Sequence, residues 1–181
     1  MVVSAAGLAC KRRDDAPATA TPPSPAPVAD PALADFWQRE FDTPAGTRLA
    51  TRSLQGKPLV LNFWATWCGP CVKEMPELDR FAQEMAPQGW QVLGVAIDKA
   101  DAVRTFLQAT PVRFPIAIAG LDGLGLVQAL GNTNGGLPFT LVLDAQGRVL
   151  QRKMGATHFE EPRALAQHGP PSYTAGSLCR A

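Results

Sequence analysis

Cys68 and Cys71, separated only by Gly69 and Pro70, are the residues of this chain best suited to chemistry. Two cysteines at this spacing can close into a disulfide and reopen, which is a two-electron switch. A sulfur at the tip of a helix faces orphan N–H groups and the positive end of the helix dipole. Both favour the thiolate, which is the nucleophilic form. Pro70 has no N–H to lose and presets φ for a first helical turn, while Gly69 lets another backbone approach Cys68 closely. The competing use of such a pair is half of a zinc site. Zinc wants four ligands, and the sequence offers no second Cys-x-x-Cys or His pair; His158 and His168 are remote. A metal-free dithiol is the expectation.

The elements that must hold this pair can be read around it. Leu59–Ala65 is a near-continuous apolar run, as expected of a central strand buried on both faces. After the pair, Val72, Met75, Leu78, Phe81, Ala82 and Met85 recur at threes and fours, an apolar helix stripe that passes through Pro76 and stops at Pro87-Gln88-Gly89. Trp90–Ile97 follows as a parallel strand, because the connection is helical. Asp98–Thr110 carries a helical pattern, Phe114–Ala119 a short strand and Leu124–Leu130 a short helix. Thr140–Leu143 and Arg148–Met154 form a hairpin about the loop Asp144–Gly147. Upstream, Phe36, Trp37 and Phe41 are early core, and Thr43–Thr47 is a turn between two short strands, the second near Arg48–Ser53. Thr157 caps a final helix with Glu160 three residues on. The expected fold is α/β, one mixed central sheet flanked by helices, with a short N-terminal β-hairpin extension.

The chain has 181 residues, with 17 Lys+Arg against 16 Asp+Glu and a net charge of +1. That balance gives no electrostatic reason to expect a nucleic-acid partner. Residues 1–13 read as the end of a clipped secretory signal leading to a lipid-modified Cys10, or as an ordinary N-terminus with an incidental cysteine. Residues 14–34 are rich in Pro and Ala and read as a linker, residues 35–168 as the folded domain, and residues 169–181 as a disordered tail. The apolar stretch before Cys10 is too short to span a bilayer, so any membrane contact is by tether only. Cys179 reads as a free thiol in the tail.

The stretch Phe63-Trp64-Ala65-Thr66-Trp67-Cys68-Gly69-Pro70-Cys71 resembles the thioredoxin superfamily, and Val72-Lys73-Glu74-Met75-Pro76 resembles its TlpA/ResA-like branch of membrane-tethered bacterial thiol–disulfide oxidoreductases. The resemblance covers roughly residues 35 to 167. It implies a thioredoxin-like fold without cofactor, in which Cys68 attacks a client disulfide and Cys71 resolves the mixed disulfide. Pro138 matches the family's cis-proline, so Leu137 would dock client backbone as an added strand. Trp67, Gly69 and Pro70 would complete the docking surface, with Trp64 in the core.

Many thioredoxins carry a buried aspartate where this chain has Asn62, which cannot titrate. The branch places a carboxylate just after the following strand, where Asp98 falls, so Asp98 would act as base for the resolving thiol or stand as a solvated loop residue. Glu74 belongs to the branch's motif and otherwise reads as a charge on the helix surface.

The Gly-Pro between the sulfurs resembles reducing thioredoxins, at about −270 mV against about −120 mV for DsbA. The family's partners are disulfide-bearing client proteins and a membrane-embedded thiol-reductant donor. Its clients include apocytochromes c and copper-site assembly proteins of cytochrome oxidase. The remaining readings are a protein-disulfide oxidant or isomerase, and a copper-binding or chaperone module using both sulfurs as soft ligands.

Overall fold

The computed structural model describes residues 30–158. Its seven strands are β1 (Glu40–Asp42), β2 (Arg48–Ala50), β3 (Leu59–Trp64), β4 (Gln91–Ala96), β5 (Ile116–Ile118), β6 (Phe139–Leu143) and β7 (Val149–Met154). Four helices accompany them: α1 (Pro31–Phe36), α2 (Gly69–Met85), α3 (Ala100–Ala109) and α4 (Leu124–Ala129). The strands form one sheet in the order β2-β1-β5-β4-β3-β6-β7. β3, β4 and β5 are mutually parallel, and β6 runs antiparallel to β3, so the sheet is mixed.

β3 is buried along its whole length, and its alternation sorts side chains between two cores. Leu59, Leu61 and Phe63 point to the face that carries α1 and α4, joining Phe36, Leu126, Val127 and Leu130. Val60 and Trp64 point to the other face, where Met75, Leu78, Phe81 and Met85 of α2 and Val103 of α3 cover them. The residue of β3 that breaks this apolar pattern is Asn62, whose side chain is wholly buried.

The N-terminal hairpin closes through the turn at Thr43–Thr47, with Thr43 N donating to Thr47 O at 2.8 Å and Gly46 at φ 79°. β1 then joins the sheet at Asp42↔Ile118. The second strand of this hairpin is shorter than the sequence predicts. It ends at Ala50, and Thr51–Leu54 turns into a single 3₁₀ element. The Thr51 hydroxyl lies at this bend, its one proton shared between Phe36 O at 2.6 Å and Arg39 O at 2.9 Å, and pins the chain against the end of α1.

Helix α1 was not expected, since Pro31–Ala34 falls within the stretch read as linker. Asp30 caps it, accepting from Ala32 N at 3.0 Å, and Pro31 occupies the first turn, where a missing N–H costs nothing. Leu33 and Phe36 then face inward at helical spacing. The final helix expected from Thr157 through Glu160, the Cys10 segment, most of the linker and Cys179 all lie outside the described residues.

Candidate active site

The site sits where the C-terminal ends of β3 and β4 meet the N-terminal end of β6. Registers Trp64↔Ala96 and Phe63↔Phe139 set that meeting point. From Trp64 the chain turns through Ala65-Thr66-Trp67 into α2, and Cys68 is the residue that caps this helix. Cys68 Sγ accepts from Cys71 N at 3.3 Å, so a helix-end donor is directed at the sulfur. Cys68 and Cys71 are joined in a disulfide, with Cα atoms 5.2 Å apart. Cys68 retains 6% exposure and Cys71 none. Only the first cysteine keeps any exposure, which is the asymmetry expected of an attacking and a resolving thiol.

The expected docking residues differ in exposure. Trp67 is 63% exposed, a large apolar surface beside Cys68, whereas Trp64 is fully buried. A Cβ built on Gly69 would meet nothing within 4 Å, so that edge of the turn faces open space. Pro70 lies in the first turn of α2. The Leu137–Pro138 peptide is cis. Pro138 O accepts from Gly155 N at 2.9 Å, which fixes the segment to the end of β7. Leu137 is half-buried and touches both cores.

Asp98 follows β4 and is almost buried. Its Oδ2 accepts from Thr66 N at 3.0 Å and Thr66 Oγ1 at 2.6 Å, and its Oδ1 accepts from Lys99 N at 2.7 Å. The carboxylate thus staples the turn that carries Trp67 and Cys68 to the exit of β4.

Glu74 departs most from expectation. It is 2% exposed rather than a surface charge. Its Oε1 accepts from Asn62 Nδ2 at 2.7 Å, and its Oε2 accepts from Thr157 N at 2.7 Å. Asn62 Nδ2 also donates to Thr140 Oγ1 at 3.0 Å, and Thr140 bonds the Thr157 hydroxyl at 3.0 Å. Burial raises the Glu74 carboxyl above its ordinary range, opposed by the Thr157 and Asn62 donors and by His158, and reinforced by Glu77. Glu74 lies three residues after Cys71, so both occupy one buried face of α2. The signal available in the sequence was Asn62, a polar residue in the middle of an apolar strand, which demands a buried partner.

Among the described residues no group of three or more His, Cys, Asp or Glu side chains is placed to hold a metal ion, and no helix is long and apolar enough to cross a membrane.

A mixed sheet with a disulfide at the tip of the helix after its central strand, and a cis-proline at the start of the strand beside it, defines the thioredoxin-like class of fold. Residues 19–167 match the Redoxin family. The chain is 30% identical over 128 residues to the thiol-disulfide oxidoreductase ResA of Bacillus cereus, covering 70% of this chain and 71% of that one. It is 32% identical over 111 residues to ResA of Bacillus thuringiensis, covering 61% and 62%. It thus spans between three-fifths and three-quarters of the length of these relatives. Among solved structures, MTB DsbF matches with a TM-score of 0.63 and 29% identity, covering 76% of this chain and 96% of that one. A secreted Mycobacterium tuberculosis disulfide oxidoreductase homologous to E. coli DsbE matches at 0.59 and 26%, covering 77% and 96%. This chain belongs to the Redoxin family, as a TlpA/ResA-like member of the thioredoxin superfamily.

Proposed function

We propose that this protein is an extracytoplasmic thiol–disulfide oxidoreductase that reduces disulfides in client proteins. The observation that carries the reading is the unequal burial of a bonded cysteine pair at a helix tip, Cys68 touching solvent and Cys71 sealed behind it. The reduced protein starts the cycle. Cys68 thiolate attacks one sulfur of the client disulfide, forming a mixed disulfide and releasing the other client sulfur as thiolate. Cys71 then loses its proton and attacks Cys68 Sγ, expelling the second client thiolate and closing the Cys68–Cys71 bond. The client gains two electrons and this protein loses them, and a membrane thiol-reductant donor returns them.

Each neighbouring group has a part in that cycle. The proton of Cys71 goes to a buried carboxylate. We assign this role to Glu74, buried on the same helix face and with its proton affinity raised by burial. Asp98, the carboxylate expected as the base, accepts from Thr66 and Lys99 and holds the turn that carries Cys68. Trp67 and Gly69 present the client-facing surface, and Leu137 offers its backbone to the client as an added strand beside Pro138.

The finer reading follows the family resemblance. Clients are proteins of the apocytochrome c or oxidase copper-site type, and the domain is tethered outside the cytoplasm through Cys10. Reduction is favoured over oxidation by the Gly69-Pro70 pair, the thioredoxin-like spacer.

A trapping experiment in the native host tests the assignment. Cys71→Ser should accumulate clients as mixed disulfides on Cys68, and Cys68→Ser should accumulate none. Equal adducts from both variants would overturn the roles.

A further inference from the structure

We propose that Asn132 is the positioning residue for client docking, holding the segment Gly135–Pro138 in its client-binding shape. The inference rests on the docking role of Leu137 and Pro138 given above. Asn132 lies in the loop between α4 and β6 and is fully buried, although its neighbours Gly131, Thr133 and Asn134 are exposed. The loop is wrapped about it. Asn132 N donates to Val127 O at 3.1 Å, which anchors it to α4, and its carbonyl accepts from Gly135 N at 3.0 Å. Its side-chain Nδ2 donates to Gly136 O at 2.6 Å. Gly131 and Gly135 supply the left-handed φ values, 106° and 63°, that let so short a loop close round a side chain.

The segment that follows is therefore clamped twice. Asn132 holds it upstream at Gly136, and Gly155 holds it downstream at Pro138 O. The clamp turns the Gly136 carbonyl inward, away from any client. It leaves the next residue, Leu137, to present its backbone; among the described residues the Leu137 N–H and C=O meet no backbone partner.

The orphaned atom of Asn132 shows what the side chain is for. Its Oδ1 is buried without a hydrogen-bond partner, an uncommon state for a native amide. The amide is retained for its donor. A reversed amide would set oxygen against oxygen at Gly136.

The energetic consequence falls on binding. Losing one buried hydrogen bond costs about 1 kcal/mol, enough to leave the docking conformer only partly populated. Apparent affinity for a client falls by that same fraction. A small disulfide that reaches Cys68 without using the docking segment is unaffected, because the dithiol is held separately by α2 and the Asp98 staple.

Asn132→Asp and Asn132→Ala test this, compared with Thr133→Ala, an exposed neighbour in the same loop. Reduction of insulin by each variant gives KM and kcat, and reduction of a small aromatic disulfide reports the dithiol alone. Asn132→Ala should raise KM for insulin, by up to about fivefold, with kcat and the small-disulfide rate unchanged. Asn132→Asp keeps the volume of the side chain and swaps the donor for an acceptor. It can donate to Gly136 O only when protonated, so its KM, as a ratio to wild type, should rise with pH and fall toward one in acid. Burial favours the protonated form, and Arg152, which packs against Gly131 and is paired with Asp30, favours the charged one. A space-filling role alone would leave Asn132→Asp like wild type at every pH, and that result would overturn the inference. Should Asn132→Ala fail to fold, the pH profile of Asn132→Asp decides. Wild type that reduces the small disulfide but not insulin would overturn the docking reading and this inference together. Normal insulin reduction by wild type with unshifted KM in both Asn132 variants would overturn this inference alone.

Discussion

Glu74→Gln should stabilise the oxidised protein at neutral pH and lose that advantage in acid. Burial raises the Glu74 carboxyl in the folded protein above its ordinary value of 4.5. Below that ordinary value the folded and unfolded chains both hold the proton, and no difference arises. Between it and the folded value, the folded chain holds a proton that the unfolded chain has released. Stability therefore falls as pH rises through this window, and the loss stays constant above it. Each tenfold difference in proton affinity between the two states is worth about 1.4 kcal/mol, so the cost to wild type above this window grows in proportion to how far burial raises the group.

Glutamine avoids this cost, and the network can accept it. Asn62 Oδ1 is buried without a partner. Turning the Asn62 amide over presents that oxygen to the new Gln Nε2 and to the Thr140 hydroxyl, while Gln Oε1 keeps the Thr157 N–H. One orphaned atom is exchanged for another, and the buried charge is gone. Urea unfolding of both proteins from pH 4 to pH 8, with the disulfide intact, measures the difference. Stability curves that run parallel over this range would refute a raised Glu74.

Two further substitutions probe the scaffold beneath the dithiol. Asp98→Ala removes the acceptor of Thr66 N, Thr66 Oγ1 and Lys99 N, and should cost about 2–3 kcal/mol in urea unfolding with a matching fall in client turnover. A cost under about 0.5 kcal/mol, the range of ordinary surface changes, would show that the staple does nothing. Gly94→Ala places a Cβ 2.7 Å from Ile116 Cδ1 and 3.1 Å from Phe114 Cε2, beside the buried Trp64 indole, and should destabilise by about 1–3 kcal/mol through overpacking. An unchanged urea midpoint would mean that the Ile116 and Phe114 side chains give way freely.

The parts of this molecule written in local pattern were legible before the structure. Leu59–Ala65 has no polar alternation apart from Asn62 and became the central strand, and the spacing of Met75, Leu78, Phe81 and Met85 marked the covered face of α2. The dithiol was legible as chemistry because two sulfurs at that spacing have few other uses. Pro138 was legible only through family resemblance, since local sequence says no more than strand start.

What escaped was set by long-range partners. Glu74 looks like a surface charge from its own neighbours, and only Asn62 twelve residues back and Thr157 eighty-three residues on make its burial tolerable. Asn132 sits among Gly, Thr and Asn, where a turn is the natural reading and nothing marks one amide as the centre of the loop. Helix α1 was masked by the Pro and Ala composition around it, although Asp30-Pro31 is a regular helix start.

Arg152 on β7 donates to Leu130 O at 3.0 Å and pairs with Asp30 Oδ2 at 2.5 Å, and the chain leaving that strand passes through Gly155 to Thr157, which donates to Glu74 on α2. The way into the described domain and the way out of it thus share one edge strand. A partner joined directly at Asp30 or at His158 would therefore suspend the described domain from that same margin.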